Sequence, residues 1–270
     1  MNGTEKGGLT VSDGTKFVVM DGKLVDFGTE VHDLAWSPDG KHAAFIDGSG
    51  SLVVSAPDGT ARTTVAKNPG GQVWTHPTWQ VNPVQGQGMV PARSNLLFAA
   101  ETNGVLRLMR VKSSAVEGAP QPISLGNESG PDSKPLPQTG NLWPDGGGDQ
   151  GVAVYANRNT GEVFVRDDFI RQTGYALGKG SEPALSSDGD DIVFVRSVDG
   201  HAHLFATKRM DGGAHDLTPK ATTDYAAPVF SRDEKTVAAR TAQGIVTLPA
   251  DGSAAPTLVS EYTGTPAYRG

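Results

Sequence analysis

The chain contains no cysteine, which excludes disulfides, thiol nucleophiles and thiolate metal sites together and is compatible with either redox compartment. No apolar run approaches the roughly 18 residues of a membrane span, and no charged-then-apolar start precedes Gly8, so neither a spanning helix nor a signal peptide is read here. Positive charge is short: 23 Lys and Arg against 30 Asp and Glu give a net charge of −7, which leaves no broad basic surface for a phosphate backbone. Nucleic acid is therefore not an expected partner. Aromatics are few, at 7%, and most of them fall at one recurring place.

What is plentiful is turn chemistry. Glycine (35) and proline (18) are high for a chain with only 20% charged residues, which points to many short strands joined by tight turns. A hydrophobic content of 37% suffices for one core, and a single all-β domain over residues 1–270 is expected. The stretch from Val31 to Gly59 shows the unit: a strand closing on Trp36, a Ser37-Pro38-Asp39-Gly40 turn, strands at Ala43 to Ile46 and Leu52 to Val54, then Pro57-Asp58-Gly59. Strands this short bury an apolar face only when stacked on copies of themselves.

The copies follow from one anchor, the large apolar residue closing the first strand of each unit. It falls at Trp36, Trp79, Trp143, Leu185, Phe230 and Tyr268, with spacings of 43, 64, 42, 45 and 38, near the length of a four-stranded propeller blade. The long spacing holds Pro- and Gly-rich excursions at Gln80 to Arg93 and Ser113 to Gly140, the second with an outer strand at Ile123 to Leu125. Thr265 to Tyr268 is a first strand with nothing after it, and Leu9 to Val11, Phe17 to Met20 and Leu24 to Phe27 are three strands with no first strand before them. Together they make a sixth blade, and this closure removes two open sheet edges. The expected fold is an all-β, six-bladed β-propeller of four-stranded antiparallel blades.

At Trp36-Ser-Pro-Asp-Gly-Lys, Ser186-Ser-Asp-Gly, Ser231-Arg-Asp-Glu-Lys and Met210-Asp-Gly-Gly-Ala-His-Asp-Leu-Thr the chain resembles the TolB-like (WD40-like) propeller repeat. That resemblance covers nearly the whole chain, strongest at the first, fourth and fifth blades. It implies periplasmic, secreted or lipoprotein-like interaction proteins of the cell envelope, or oligogalacturonate lyases with a channel metal held largely by histidines. A prolyl-peptidase relative is excluded, because the chain has neither the length for a hydrolase domain nor a Gly-x-Ser-x-Gly elbow.

First strands line a propeller's channel, so residues three before each anchor should face one another: Asp33, His76, Gly140, Glu182, Ala227 and Thr265. Asp33, His76, Glu182 and Thr265 are the candidate channel-mouth residues, able in principle to hold a cation or act as acid and base. Only His76 stands at a position matching the lyase histidines, with His32 one residue off. His201 and His203 read as a solvent-facing pair, and His42 and His215 as exposed turn neighbours. Trp74 and Tyr225, at the starts of the second and fifth blades, are candidate binding-surface aromatics. The 80–93 insertion should leave from the opposite end of the ring, with Met89 out of reach of Trp74.

The reading is a non-enzymatic, monomeric, extracytoplasmic binding module for a protein or peptide partner at the cell envelope. No catalytic residue and no cofactor are expected beyond a weakly held channel cation, and any signal peptide lies outside this sequence. The alternative is a carbohydrate-active propeller resembling oligogalacturonate lyase.

Overall fold

Runs rich in apolar and β-branched residues, cut by Gly, Asp and Pro turns, become most of the strands, four to eleven residues long, and two outer strands have two residues each. The computed structural model describes residues 3–5, 7–82, 92–147, 151–167, 172–210 and 213–270. In chain order the strands are β1 (Leu9–Ser12), β2 (Phe17–Met20), β3 (Lys23–Asp26), β4 (His32–Trp36), β5 (Ala43–Ile46), β6 (Leu52–Ser55), β7 (Thr63–Ala66) and β8 (Gln72–Asn82). They continue with β9 (Arg93–Thr102), β10 (Val105–Lys112), β11 (Gln121–Pro122), β12 (Asn141–Gly147), β13 (Val152–Asn157), β14 (Glu162–Arg166), β15 (Gly174–Lys179) and β16 (Ser181–Leu185). The last eight are β17 (Asp191–Val198), β18 (His201–Lys208), β19 (His215–Asp216), β20 (Ala226–Phe230), β21 (Thr236–Thr241), β22 (Gly244–Pro249), β23 (Thr257–Ser260) and β24 (Thr265–Tyr268).

These strands form six antiparallel four-stranded sheets, each a blade. The inner strands β4, β8, β12, β16, β20 and β24 touch in sequence, and β24 touches β4, so the sheets close into a six-bladed ring. The closing blade has the order β24-β1-β2-β3, with Leu9 opposite Tyr268 and Ser12 opposite Thr265. Both ends of the chain thus share one sheet, as the strand count requires. Between blades the facing apolar sides merge into clusters; Val18, Met20 and Phe27 of the closing blade, for example, join Trp36 and Phe45 of the next.

The recurring Ser-x-Asp turn has one construction at three places. Ser37, Ser186 and Ser231 each donate a hydroxyl hydrogen bond to the carboxylate two residues on (2.6, 2.6 and 2.7 Å). Each hydroxyl also accepts from the backbone N–H five residues on, at His42, Asp191 and Thr236. The serine hydroxyl, followed by backbone N–H donors, holds Asp39 and Asp233 below the usual carboxylate range. At Asp188 burial pushes upward, but the Ser186 hydroxyl and the Asp190 N–H outweigh it.

Ser186→Ala leaves the Asp191 N–H without its acceptor at a buried position and should cost about 1–2 kcal/mol, read as a lower melting temperature. Asp188 has a depressed folded pKa, so its stabilisation is present above the unfolded carboxyl value of about 3.9 and is lost as pH falls through the folded value. The gap between wild type and variant should therefore narrow below about pH 4.

Several sequence expectations need correction. Gln80 to Asn82 and Arg93 are not loop: they extend β8 and β9 into the longest hairpin of the described residues, while residues 83–91, with Met89, lie outside them. Trp74 and Asn82 sit near opposite ends of β8. In the 113–140 excursion the outer strand is β11 at Gln121–Pro122, and Leu125 and Leu136 are buried in the core beside it. In the fourth blade the outer strand is β19, just before Leu217-Thr218 of the repeat motif, and Asp211 and Gly212 of that motif lie outside the described residues.

Candidate functional site in the central channel

Five of the six inner strands carry the same irregularity. Between His32 and Ala35, Thr75 and Thr78, Leu142 and Asp145, Ser181 and Ala184, and Ala226 and Val229, three steps along the inner strand face two on its neighbour. The residue inside each bulge is left-handed: Asp33, His76, Trp143, Glu182 and Ala227 have φ between 48° and 53°. Such a conformation costs a non-glycine residue roughly 1–3 kcal/mol, so something must hold it. The next residue is proline in four of the five, Pro77, Pro144, Pro183 and Pro228, which suits a place where the ladder has no use for an N–H.

Carboxylates hold two of the five, His76 and Ala227. Asp33 Oδ2 accepts the His76 N–H of the next blade at 2.9 Å, and Glu182 Oε2 accepts the Ala227 N–H at 2.5 Å. In the third blade Asp145 makes a different link between blades: it accepts the Leu185 N–H of the fourth blade at 2.9 Å and the Thr78 hydroxyl of the second at 2.7 Å, plus its neighbour Gly146 N–H. Asp145 thus ties three blades together. Burial pushes its carboxyl pKa up, opposed by these three donors. The residue as a whole is half-buried, and loss of solvent around the carboxyl is the strongest influence on its titration.

The inner strands surround a cavity of about 660 Å³. Asp33, His76, Glu182 and Thr265 all line it, together with Trp143 and Ala227. Gly140 does not: the bulge puts Trp143, not Gly140, in register with Asp33 and His76, and the third-blade anchor position is Gly146. The letters Trp143-Pro144-Asp145-Gly146 imitate the Trp36 turn motif yet lie on the strand itself. The His76 ring stands edge-on to Trp143 at 5.9 Å between centroids, and its Nδ1 is 3.9 Å from Asp33 Oδ2. Arg240, half-buried, adds a cation to the wall. The remaining lining mixes prolines (Pro77, Pro183 and Pro228) and aromatics (Trp36, Trp79 and Phe230) with small aliphatic residues, Ser and Thr hydroxyls and a second cation, Arg232.

Trp74 and Tyr225 do not offer a binding surface. Trp74 is 5% exposed, lies 4.9 Å from Phe98 and donates its indole N–H to Gln72; Tyr225 is 8% exposed within the core between the fourth and fifth blades. Inter-blade packing claims both rings. His203 is likewise buried, with Nδ1 2.8 Å from Asp216, whereas His201 is half-buried and 3.5 Å from Asp224, so the two are not a solvent-facing pair. His42 and His215 are exposed.

Among the described residues no three His, Asp or Glu side chains gather to hold a metal ion. Asp33 and Glu182 already serve backbone donors, and His76 is the one imidazole on the channel wall. Calorimetric titration with zinc, manganese or calcium should therefore give no tight binding that is lost in His76→Ala; a clear His76-dependent site would contradict this geometry.

The ring and its channel define a six-bladed β-propeller. A family model described as the lipoprotein LpqB β-propeller domain matches residues 7–129, a little under half of the chain. Among solved structures, the chain is similar to TolB from Acinetobacter baumannii (TM-score 0.66, 18% identity), covering 97% of this chain and 66% of that one, just under two thirds of its length. It is also similar to a TolB from Agrobacterium tumefaciens (TM-score 0.66, 15% identity; 95% and 88% covered) and to an oligogalacturonate lyase in complex with manganese (TM-score 0.58, 11% identity; 93% and 73% covered). At these identities the likeness is one of fold. No curated protein sequence matches the chain.

Proposed function

We propose that the chain is a non-enzymatic binding propeller of the cell envelope that takes a protein or peptide segment into its central channel. The observation that carries this reading is the employment of the channel carboxylates: Asp33, Glu182 and Asp145 are engaged in holding blades together. What the cavity presents to a ligand is then a mixed wall, with apolar stretches of proline, tryptophan, phenylalanine and leucine interrupted by the cations Arg232 and Arg240, His76 and several hydroxyls. A concave site that sets apolar surface beside fixed polar groups suits a peptide, and 660 Å³ is within the usual range of ligand pockets. The partial match to a lipoprotein propeller and the likeness to TolB structures support an extracytoplasmic setting. The lyase likeness is one of fold, and the channel offers a single histidine where a manganese site would need several ligands.

The test is selection from a random peptide library displayed on phage, followed by calorimetry with the synthetic peptide. Binding should be lost in Thr265→Arg, which places a long side chain in the channel, and weakened in Trp143→Ala. Binding indifferent to both would refute the channel reading. Shortening of oligogalacturonate by the chain with manganese would favour the lyase instead.

A further inference from the structure

A second cavity of about 630 Å³ lies between the first and second blades and shares Ser37, Pro38, Trp79 and Val81 with the channel wall. Its outer boundary is a strap following β10. The Glu117 N–H donates to Thr64 O and the Gly118 N–H to Val65 O, both at 2.8 Å, so the strap crosses from its own blade onto the edge of β7. The crossing is tight: a Cβ on Gly118 would stand 2.8 Å from the Ala115 Cβ. Inside, Val54, Val81 and Trp79 make an apolar floor, with the His42 ring tilted against Trp79 at 6.4 Å. The rim is polar, where the Ser94 and Ser113 hydroxyls meet at 2.6 Å, and Val116 on the strap is 75% exposed.

We infer that this groove is a lateral extension of the channel site, and that one extended peptide segment of the partner occupies both, leaving the channel at Trp79 and running outward between the first and second blades. The inference rests on the channel reading above. The two cavities adjoin at four common wall residues, so one elongated ligand can reach both past Trp79, and an apolar floor under a polar rim suits a peptide whose alternate side chains point down while its backbone stays wet.

The experiment uses the peptide selected on phage, synthetic truncations of it, and the full chain. Ser114→Trp fills the groove from an exposed strap position, so folding should be retained, as circular dichroism and melting temperature would confirm. It should weaken the full peptide by about tenfold or more and leave a peptide truncated at one end unaffected. A photo-cross-linking residue at Val116 should label that same end of the peptide, and one at Thr265 its remainder. If Thr265→Arg abolishes binding while Ser114→Trp changes nothing and Val116 labels nothing, the groove is not part of the site although the channel reading survives. If Ser114→Trp weakens full and truncated peptides alike, or a glycan takes the groove in place of peptide, the single-ligand inference fails. Recovery of no peptide refutes the channel reading and this inference with it.

Discussion

Removal of residues 1–27 is expected to abolish cooperative unfolding and to give an aggregating chain. The deletion strips β1, β2 and β3 from the closing blade and leaves β24 as a lone strand with an open edge. It also takes six buried side chains out of two inter-blade clusters: Leu9, Val11 and Val19 from one, and Val18, Met20 and Phe27 from the other. At roughly 1.5–3 kcal/mol each, their loss is comparable to the whole 5–15 kcal/mol stability of an ordinary domain. The Arg62 guanidinium, which donates to Phe27 O, loses that acceptor as well. A truncated chain that ran as a monomer with an unchanged melting profile would show that the ring does not depend on this closure.

The second large effect is expected at Asp145. In Asp145→Ala the Leu185 N–H and the Thr78 hydroxyl lose their acceptor at the meeting of three blades, while Gly146 N–H keeps a weaker alternative in Thr78 Oγ1 at 3.3 Å. Orphaned polar groups at a buried site put the cost at about 2–4 kcal/mol, and scaling for a chain of this size makes that a fall of roughly 5–15 °C in melting temperature. The pH dependence separates Asp145 from the turn aspartates. Its folded pKa is raised, so its contribution to stability is fullest below the unfolded carboxyl value and is lost as pH rises through the raised folded value. Melting curves of wild type and Asp145→Asn should therefore differ most at acid pH and converge as pH rises. A gap that widened with pH would mean that the carboxylate, not the acid, is the form the fold favours.

The blade repeat was legible because turn chemistry and blade length both survive in a single sequence. Ser37-x-Asp39, Ser186-x-Asp188 and Ser231-x-Asp233 are local devices, complete within six residues, and their pattern shows without knowledge of neighbours. The termini were legible for a similar reason, since three strands and one strand make a four-stranded sheet. What the letters concealed was register. Trp143-Pro-Asp-Gly copies a turn motif, but the bulge between Leu142 and Asp145 turns it into channel wall and makes Asp145 a clasp between blades. The signal that would have found it is the residue-proline pair, His76-Pro77, Trp143-Pro144, Glu182-Pro183 and Ala227-Pro228, which marks the bulge in four successive blades. Trp74 and Tyr225 were misread for the opposite reason: exposure depends on the neighbouring blade, and nothing near them in sequence reports that blade.

The central claim, that the channel is where a partner segment binds, is tested most directly by hydrogen exchange on the full chain with and without the phage-selected peptide. Added peptide should slow exchange in the inner-strand segments around Asp33, His76, Trp143, Glu182 and Ala227, with the outer strands β3, β15 and β19 unchanged. Protection confined to the outer strands, with the inner segments exchanging as in the free chain, would contradict it.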